Sequence, residues 1–143
     1  VKGTVRDVTV VDDYGHHPTE IRATLAAARQ VWKGRLIVIF QPHRYTRTKA
    51  LFQEFIEAFP DADILILTDI YAASEAPIPG VHAEILGAAI REHGSKEVLY
   101  MAEFKDITDK LVAIAGPGDV IITQGAGTVW KIGEEYLQRA ARE

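Results

Sequence analysis

The sequence predicts an α/β fold of the Rossmann-like, doubly wound class, with a mostly parallel sheet of about five to six strands flanked by helices. Short apolar runs alternate with longer segments of helical apolar spacing, and this βα alternation repeats five times. Two runs, 35–40 (RLIVIF) and 63–68 (DILILT), are almost continuously apolar, as expected for strands covered on both faces. Polar and Gly-rich residues fall mostly in the loops after the strands, where such sheets bind ligands.

Each element has its own sequence signals. Residues 4–11 alternate around a turn-like Arg6-Asp7 pair, which is compatible with an antiparallel edge strand that turns into a second strand at 8–12. Pro18 suits the first turn of a helix, and the apolar spacing that follows it predicts a helix over 18–32. The remaining strands are predicted at 35–40, 63–68, 97–101 and 119–123, and the remaining helices at 49–59, 81–93, 104–115 and 128–142.

Composition limits the classes of function. The 143 residues match the size of one domain, and 48% of them are hydrophobic, which is enough for a core. A net charge of −4 leaves no basic footprint for nucleic acid, and no apolar run is long enough to span a membrane. The chain has no Cys, which fits a reducing compartment such as the cytoplasm. Because it begins with Val1, we expect a domain of a longer protein.

The loop after the first parallel strand combines two carboxylates, Asp12 and Asp13, with two imidazoles, His16 and His17. Adjacent carboxylates at a strand end can hold Mg²⁺ or accept hydrogen bonds from ribose hydroxyls. The structural alternative is that both aspartates cap the turn. Two neighbouring histidines without a third ligand at metal-binding spacing do not predict a zinc site.

The next loop places His43, Arg44 and Arg47 at the start of a helix. Cations are unfavourable at a helix N-terminus, so two arginines there predict an anion among them. Guanidinium groups fit carboxylate or phosphate oxygens in bidentate geometry. The alternative is a solvated loop with scattered bases, and Thr46 or Thr48 is the expected N-cap.

Two further loops are weaker candidates. Asp69, Tyr71 and Glu75 lie in a long βα loop, where carboxylates can receive an amine or a metal, unless this is only a proline-stiffened surface loop. Residues 125–127 (GAG) resemble a phosphate-binding turn but lack the third Gly of GxGxxG. For this segment we favour close packing of helix on strand.

The sequence contains no complete catalytic motif: GxxxxGK[ST], GxSxG, HExxH and the kinase signatures are all missing. The chain has arginines suited to an anion beside a loop with carboxylates and histidines, but it has no phosphate-binding loop. This combination predicts one side of a binding site. The other side would lie on another domain.

An alternative from a different class is a receiver-like phosphoacceptor signalling domain. Asp12, Asp13 and Asp69 follow strands in the positions where such domains hold Mg²⁺ and accept a phosphoryl group. A receiver also needs a Lys after its fifth strand, where this chain has Thr123 and Gln124, and a Ser or Thr after its fourth. The missing partners argue against this alternative.

Three loops together resemble the C-terminal domain of the Mur ligases of bacterial peptidoglycan synthesis. The matching segments are 11–21 (VDDYGHHPTEI), 40–48 (FQPHRYTRT) and 69–78 (DIYAASEAPI), and the resemblance covers essentially the whole chain in order. Ser74 stands where the family often has Gly. The Tyr14-Gly15 pair favours the L-alanine-adding branch over murein tripeptide recycling, whose ligase tends to have Phe-Ala there.

The resemblance implies a three-domain, ATP-dependent ligase of the bacterial cytoplasm. Its N-terminal domain would bind the UDP-sugar and its central P-loop domain ATP and Mg²⁺, while residues 1–143 form the C-terminal domain that closes the site. The reaction would join L-alanine to UDP-N-acetylmuramate through an acyl phosphate, and this domain alone would be inactive. The residues implied for the L-alanine carboxylate are Arg44, Arg47, His43 and His16, and those for the nucleotide are Asp13, Tyr14 and His16.

Overall fold

The computed structural model describes residues 1–94 and 97–143. Within them the strands are β1 (Gly3–Val5), β2 (Val8–Asp13), β3 (Leu36–Phe40), β4 (Ile64–Leu67), β5 (Glu97–Tyr100) and β6 (Val120–Gln124). The helices are α1 (Pro18–Val31), α2 (Tyr45–Ala50), α3 (Phe52–Ile56), α4 (Ala83–His93), α5 (Phe104–Ile114) and α6 (Trp130–Arg142). None of the described helices is long and apolar enough to cross a membrane.

The strands form one sheet in the order β1-β2-β6-β3-β4-β5. β1 is antiparallel to β2, and the other pairs are parallel, which confirms the predicted fold class and its antiparallel edge strand. β6 lies between β2 and β3, with Val10 opposite Ile121 and Val38 opposite Ile122. The loops that follow β2, β3 and β6 therefore leave the sheet side by side.

Alternate residues of the central strands supply two separate cores. Leu36, Val38 and Phe40 pack with α1, α3 and α4 on one face of the sheet. Ile37 and Ile39 pack with α5 and α6 on the other face. Because both faces are covered, β3 is a continuous apolar run in the sequence, as predicted.

The hairpin between β1 and β2 turns through Arg6 and Asp7, whose φ angles are 54° and 63°. Positive φ at both central residues is the backbone that matches the twist of two-residue hairpins. Asp7 O also accepts a hydrogen bond from Gly118 N at 2.8 Å, which ties the turn to the loop before β6.

The predicted helix over 49–59 is wrong in its bounds. The structure has two short helices, α2 and α3, separated at Leu51, where φ is −110° and ψ is 20°. Thr46 and Thr48 are not the N-cap, because Arg44 occupies that position and the Thr48 hydroxyl donates to Arg44 O at 2.8 Å. The helix starts earlier than its apolar spacing indicates because a distant loop supplies its cap, as described below.

Two helical glycines provide a test of the packing. A Cβ at Gly133 in α6 would lie 2.9 Å from Val10 Cγ1, whereas at Gly87 in α4 the nearest atom would be 3.7 Å away. Gly87→Ala should therefore raise the free energy of unfolding by about 0.5–1 kcal/mol through helix propensity. Gly133→Ala should lower it by about 1–3 kcal/mol through overpacking against a stiff β-branched side chain. Chemical denaturation of both variants measures this, and equal effects would contradict the packing of α6 on β2.

Candidate functional site

The carboxyl edge of the sheet brings three of the predicted loops into contact. The His16 ring, after β2, lies 5.7 Å from the His43 ring, after β3. The His43 ring in turn stacks on Tyr71, after β4, at 5.5 Å and an interplanar angle of 12°. Tyr14 and Tyr71 are 69% and 37% exposed, so this surface is open to solvent.

Asp13 organises the first loop. One carboxylate oxygen, Oδ2, accepts from Gly15 N at 3.2 Å, Thr24 Oγ1 at 3.1 Å and Gln124 Nε2 at 2.6 Å. The other oxygen, Oδ1, has no hydrogen-bond partner among the described residues. Asp13 thus combines the turn-capping role with one carboxylate oxygen still available to accept a hydrogen bond.

Asp12 and Tyr14 differ in their surroundings. Asp12 Oδ1 accepts from the Thr123 hydroxyl at 2.6 Å, so this carboxylate is used within the sheet. Tyr14 projects into solvent and contacts the edge of the His16 ring at 6.2 Å. Of these neighbours, Tyr14 is exposed, whereas Asp12 and His16 are half-buried.

His17 and Glu20 form a capping box at the start of α1. His17 Nδ1 accepts from Thr19 N at 3.2 Å, and Glu20 Oε1 accepts from His17 N at 3.0 Å and His16 N at 3.1 Å. These backbone donors, that of His17 first, lower the pKa of Glu20. His17 therefore has a structural role, and His16 is the imidazole that faces the other loops.

His43 holds Arg47. The Arg47 guanidinium donates to His43 Nδ1 at 3.0 Å, so Nδ1 must be unprotonated and the ring proton must lie on Nε2. Burial first, and then the positive charge of Arg47, lower the pKa of His43. A neutral His43 can thus hold Arg47 with one nitrogen and donate to a ligand with the other.

Arg44 has a strained backbone, with φ 72° and ψ 141°. Tyr71 holds this conformation from the neighbouring loop, because Arg44 N donates to Tyr71 O at 2.8 Å and Tyr71 N donates to Pro42 O at 2.8 Å. Neither Arg44 nor Arg47 forms an ion pair with a carboxylate in the described part of the chain. Two guanidinium groups are thus positioned without an acidic partner.

The N-terminus of α2 is capped by Glu75. Its Oε1 accepts from Tyr45 N at 2.6 Å and Thr46 N at 3.1 Å, and its Oε2 accepts from the Thr46 hydroxyl at 2.6 Å. The Thr46 hydroxyl first, together with the backbone donors and Arg44, lowers the pKa of Glu75. The anion expected at this helix start is therefore supplied at least in part by the chain itself, through the Glu75 carboxylate.

Asp69 lies in a different cluster, at the ends of β4 and β5. It accepts a hydrogen bond from the Tyr100 hydroxyl, and His82 Nε2 lies 3.8 Å from the same oxygen. Burial first, and then the bond to Asp69, raise the pKa of Tyr100 to about 12. Asp69 therefore stabilises the start of the long loop after β4, and it belongs to a cluster separate from His16 and His43.

Two buried glutamines were missed as site residues. Gln41 Oε1 accepts from Thr128 N at 2.8 Å and Val129 N at 3.0 Å, which holds the loop after β6. Gln124 Nε2 donates to Asp13 and to Gly15 O at 2.8 Å, which holds the loop after β2. In the sequence, both residues stand only as a Gln at the end of an apolar strand, and this position alone does not indicate burial.

The GAG segment after β6 is closely packed, as expected, although its neighbours are loops rather than a helix on a strand. Gly125 has φ 147°, and a Cβ there would lie 2.7 Å from Gln41 O. A Cβ at Gly127 would lie 2.7 Å from Tyr71 Cγ. Among residues 1–94 and 97–143, no three His, Asp or Glu side chains are grouped so that they could hold a metal ion.

The state of His43 is measurable by NMR titration of its ring. Its pKa should lie below 6.5, and Arg47→Gln should raise it by removing both a nearby charge and a donor to Nδ1. Since the folded pKa is depressed, the contribution of His43 to stability is complete above about pH 6.5 and decreases as the pH falls through the folded pKa. Lys49→Gln is the control, and an unchanged pKa in Arg47→Gln would contradict the pairing.

The sequence matches one protein family over most of its length. The family described as "Mur ligase, glutamate ligase domain" matches residues 1–127. The UDP-N-acetylmuramate–L-alanine ligase of Geotalea uraniireducens is 61% identical over 139 residues, which are 97% of this chain and 30% of that protein. The chain therefore spans about a third of the length of such relatives.

Solved structures agree in fold. The crystal structure of the UDP-N-acetylmuramate-alanine ligase of Thermotoga maritima matches with a TM-score of 0.73 and 26% identity, over 94% of this chain and 27% of that one. A murein peptide ligase of Psychrobacter arcticus matches with a TM-score of 0.78 and 22% identity, over 99% of this chain and 29% of that one. At this identity, the match supports only the fold. With the family match over residues 1–127 and the loop geometry, these findings show that the chain belongs to the Mur ligase family, as its C-terminal, glutamate ligase domain.

Proposed function

We propose that residues 1–143 are the closing domain of a three-domain ligase that joins L-alanine to UDP-N-acetylmuramate. The chain corresponds to 30% of a relative that carries this name at 61% identity. An N-terminal domain for the UDP-sugar and a central P-loop domain for ATP would make up the rest. In the full enzyme, ATP activates the muramate carboxylate as an acyl phosphate, and the amine of L-alanine attacks it.

The observation that carries this proposal is the unpaired arginine pair beside two histidines. Arg44 and Arg47 have no carboxylate partner in the described structure. Arg47 donates to His43, and the His43 ring lies 5.7 Å from the His16 ring. A free amino acid presents a carboxylate that two guanidinium groups can bind. Holding it there, with His43 Nε2 and His16 as additional donors, would orient the amine toward the acyl phosphate.

The nucleotide contacts are assigned to Asp13, Tyr14 and His16. The free Oδ1 of Asp13 can accept a ribose hydroxyl, the exposed Tyr14 ring can pack on a base, and His16 can meet either nucleotide or amino acid. Asp12 is used by Thr123, and His17 by the helix cap, so neither is assigned to ligand. We place Mg²⁺ with ATP on the central domain.

Closure of this domain would complete the site. The surface around Tyr14 and Tyr71 is open, and Gln124 Oε1 is buried with no hydrogen-bond partner in the described structure. A buried acceptor of this kind requires a donor, which a ligand, water or a neighbouring domain can supply. Covering the edge would also exclude water from a hydrolysable acyl phosphate.

The alternatives are less well supported. Tripeptide recycling is disfavoured because the relative at 61% identity is named for L-alanine addition, whereas the murein peptide ligase match, at 22% identity, concerns the fold. The family assignment argues against the receiver-like interpretation. We place the full enzyme in the bacterial cytoplasm.

The arginine pair is tested by Arg44→Ala and Arg47→Ala in the full-length ligase. Each should raise the KM for L-alanine about tenfold to a hundredfold, the loss expected when a charge-assisted hydrogen bond is removed. The KM for UDP-N-acetylmuramate should change little. Arg22→Ala, an exposed position on α1, is the control, and an unchanged alanine dependence in both arginine variants would refute the clamp.

The need for other domains is tested with the chain itself. Purified residues 1–143 should form no amide product from ATP, L-alanine and UDP-N-acetylmuramate, since the chain lacks a P-loop motif. Calorimetry should show ATP binding no tighter than about 1 µM. Turnover, or submicromolar binding of ATP, would show that the chain carries a complete site.

A further inference from the structure

We propose that Glu75 is a positioning residue that sets the direction of Arg44 and Arg47 by capping α2 from a neighbouring loop. This role rests on the proposed function, because it concerns the same arginine pair. Glu75 would act on the amino-acid site through the helix start rather than by touching the substrate.

The helix α2 is too short to be stable on its own. It has six residues, from Tyr45 to Ala50, and its N-cap residue Arg44 offers no side-chain cap. Helices this short are unstable unless external groups satisfy their first N–H donors. Both Arg44, at the cap, and Arg47, in the first turn, depend on this turn for their direction.

Glu75 supplies the N-terminal cap that α2 lacks. Its carboxylate accepts from two of the backbone donors at the helix start, Tyr45 N and Thr46 N, and also from the Thr46 hydroxyl. A carboxylate at this position also complements the partial positive charge of the helix N-terminus. Because Glu75 forms no ion pair with either arginine, their guanidinium groups remain free for a ligand.

The loop around Glu75 holds this side chain next to the start of α2. Ala73 and Ser74 have positive φ angles of 51° and 75°, and Glu75 N donates to Ala72 O at 3.0 Å in the same turn. Earlier in the loop, Tyr71 pairs with the backbone on both sides of His43. The loop therefore contacts the arginine segment at two places, its backbone at Tyr71 and its carboxylate at Glu75.

The test is steady-state kinetics of the full-length ligase with Glu75→Ala and Glu75→Gln, varying each substrate separately. Glu75→Ala should raise the KM for L-alanine about three- to thirtyfold, the range expected for a lost cap, with less than about a twofold change for ATP and UDP-N-acetylmuramate. Glu75→Gln should recover most of this loss, because its amide oxygen can still accept both backbone N–H groups.

Glu54→Gln, an exposed carboxylate on α3, is the matched control and should leave all three KM values unchanged. An unchanged KM for L-alanine in Glu75→Ala, while Arg44→Ala raises it, would overturn the role of Glu75 and leave the proposed function standing. A uniform rise of all three KM values would also overturn it, since that indicates a merely structural residue. An unchanged KM in the arginine variants would overturn the proposed function itself.

Discussion

Two buried glutamine side chains hold the edge on which this site is built. Gln124 is the last residue of β6, and Gln41 directly follows β3, the strand beside it. Gln41 N donates to Gln124 O at 3.1 Å. Gln41 secures the loop after β6, and Gln124 secures the loop after β2. Because breaking these buried hydrogen bonds would leave polar groups unpaired away from water, they favour one position of each loop relative to the sheet. His16 and His43 come together as a consequence.

The polar residues around this edge divide into two groups. Asp12, His17 and Asp69 satisfy hydroxyl, backbone or phenol donors of the protein, and they stabilise turns and helix starts. The groups that retain free hydrogen-bonding capacity in the described structure are Asp12 Oδ2, Asp13 Oδ1, Nε2 of His43, and the guanidinium groups of Arg44 and Arg47. Most polar groups of these loops therefore stabilise turns and helix starts, and a small set keeps unused hydrogen-bonding capacity.

Much of this organisation could be predicted from the sequence. The continuous apolar runs identify β3 and β4 because parallel strands are buried on both faces, and the loops that resemble Mur ligases do meet at one edge. What could not be predicted depends on contacts between distant residues. The start of α2 is set by Glu75, some 30 residues away, and local propensity does not include such a contact.

The buried glutamines were missed for a related reason. A polar residue at the end of an apolar strand is normally expected in solvent, yet Gln41 and Gln124 are 4% and 0% exposed. His17 was considered as a ligand because imidazole has several roles, and only the capping geometry with Glu20 shows which one applies. Such assignments require the relative positions of loops that are far apart in the sequence.

We propose that these loops form half of a site that another domain completes. Hydrogen exchange of backbone amides over 13–17 and 43–47 tests it directly, in the full-length ligase and in the isolated chain, each with ATP, Mg²⁺, UDP-N-acetylmuramate and L-alanine. The ligands should protect both segments in the full-length protein and neither segment in the isolated chain. Equal protection in the isolated chain, or none in the full-length protein, would contradict it.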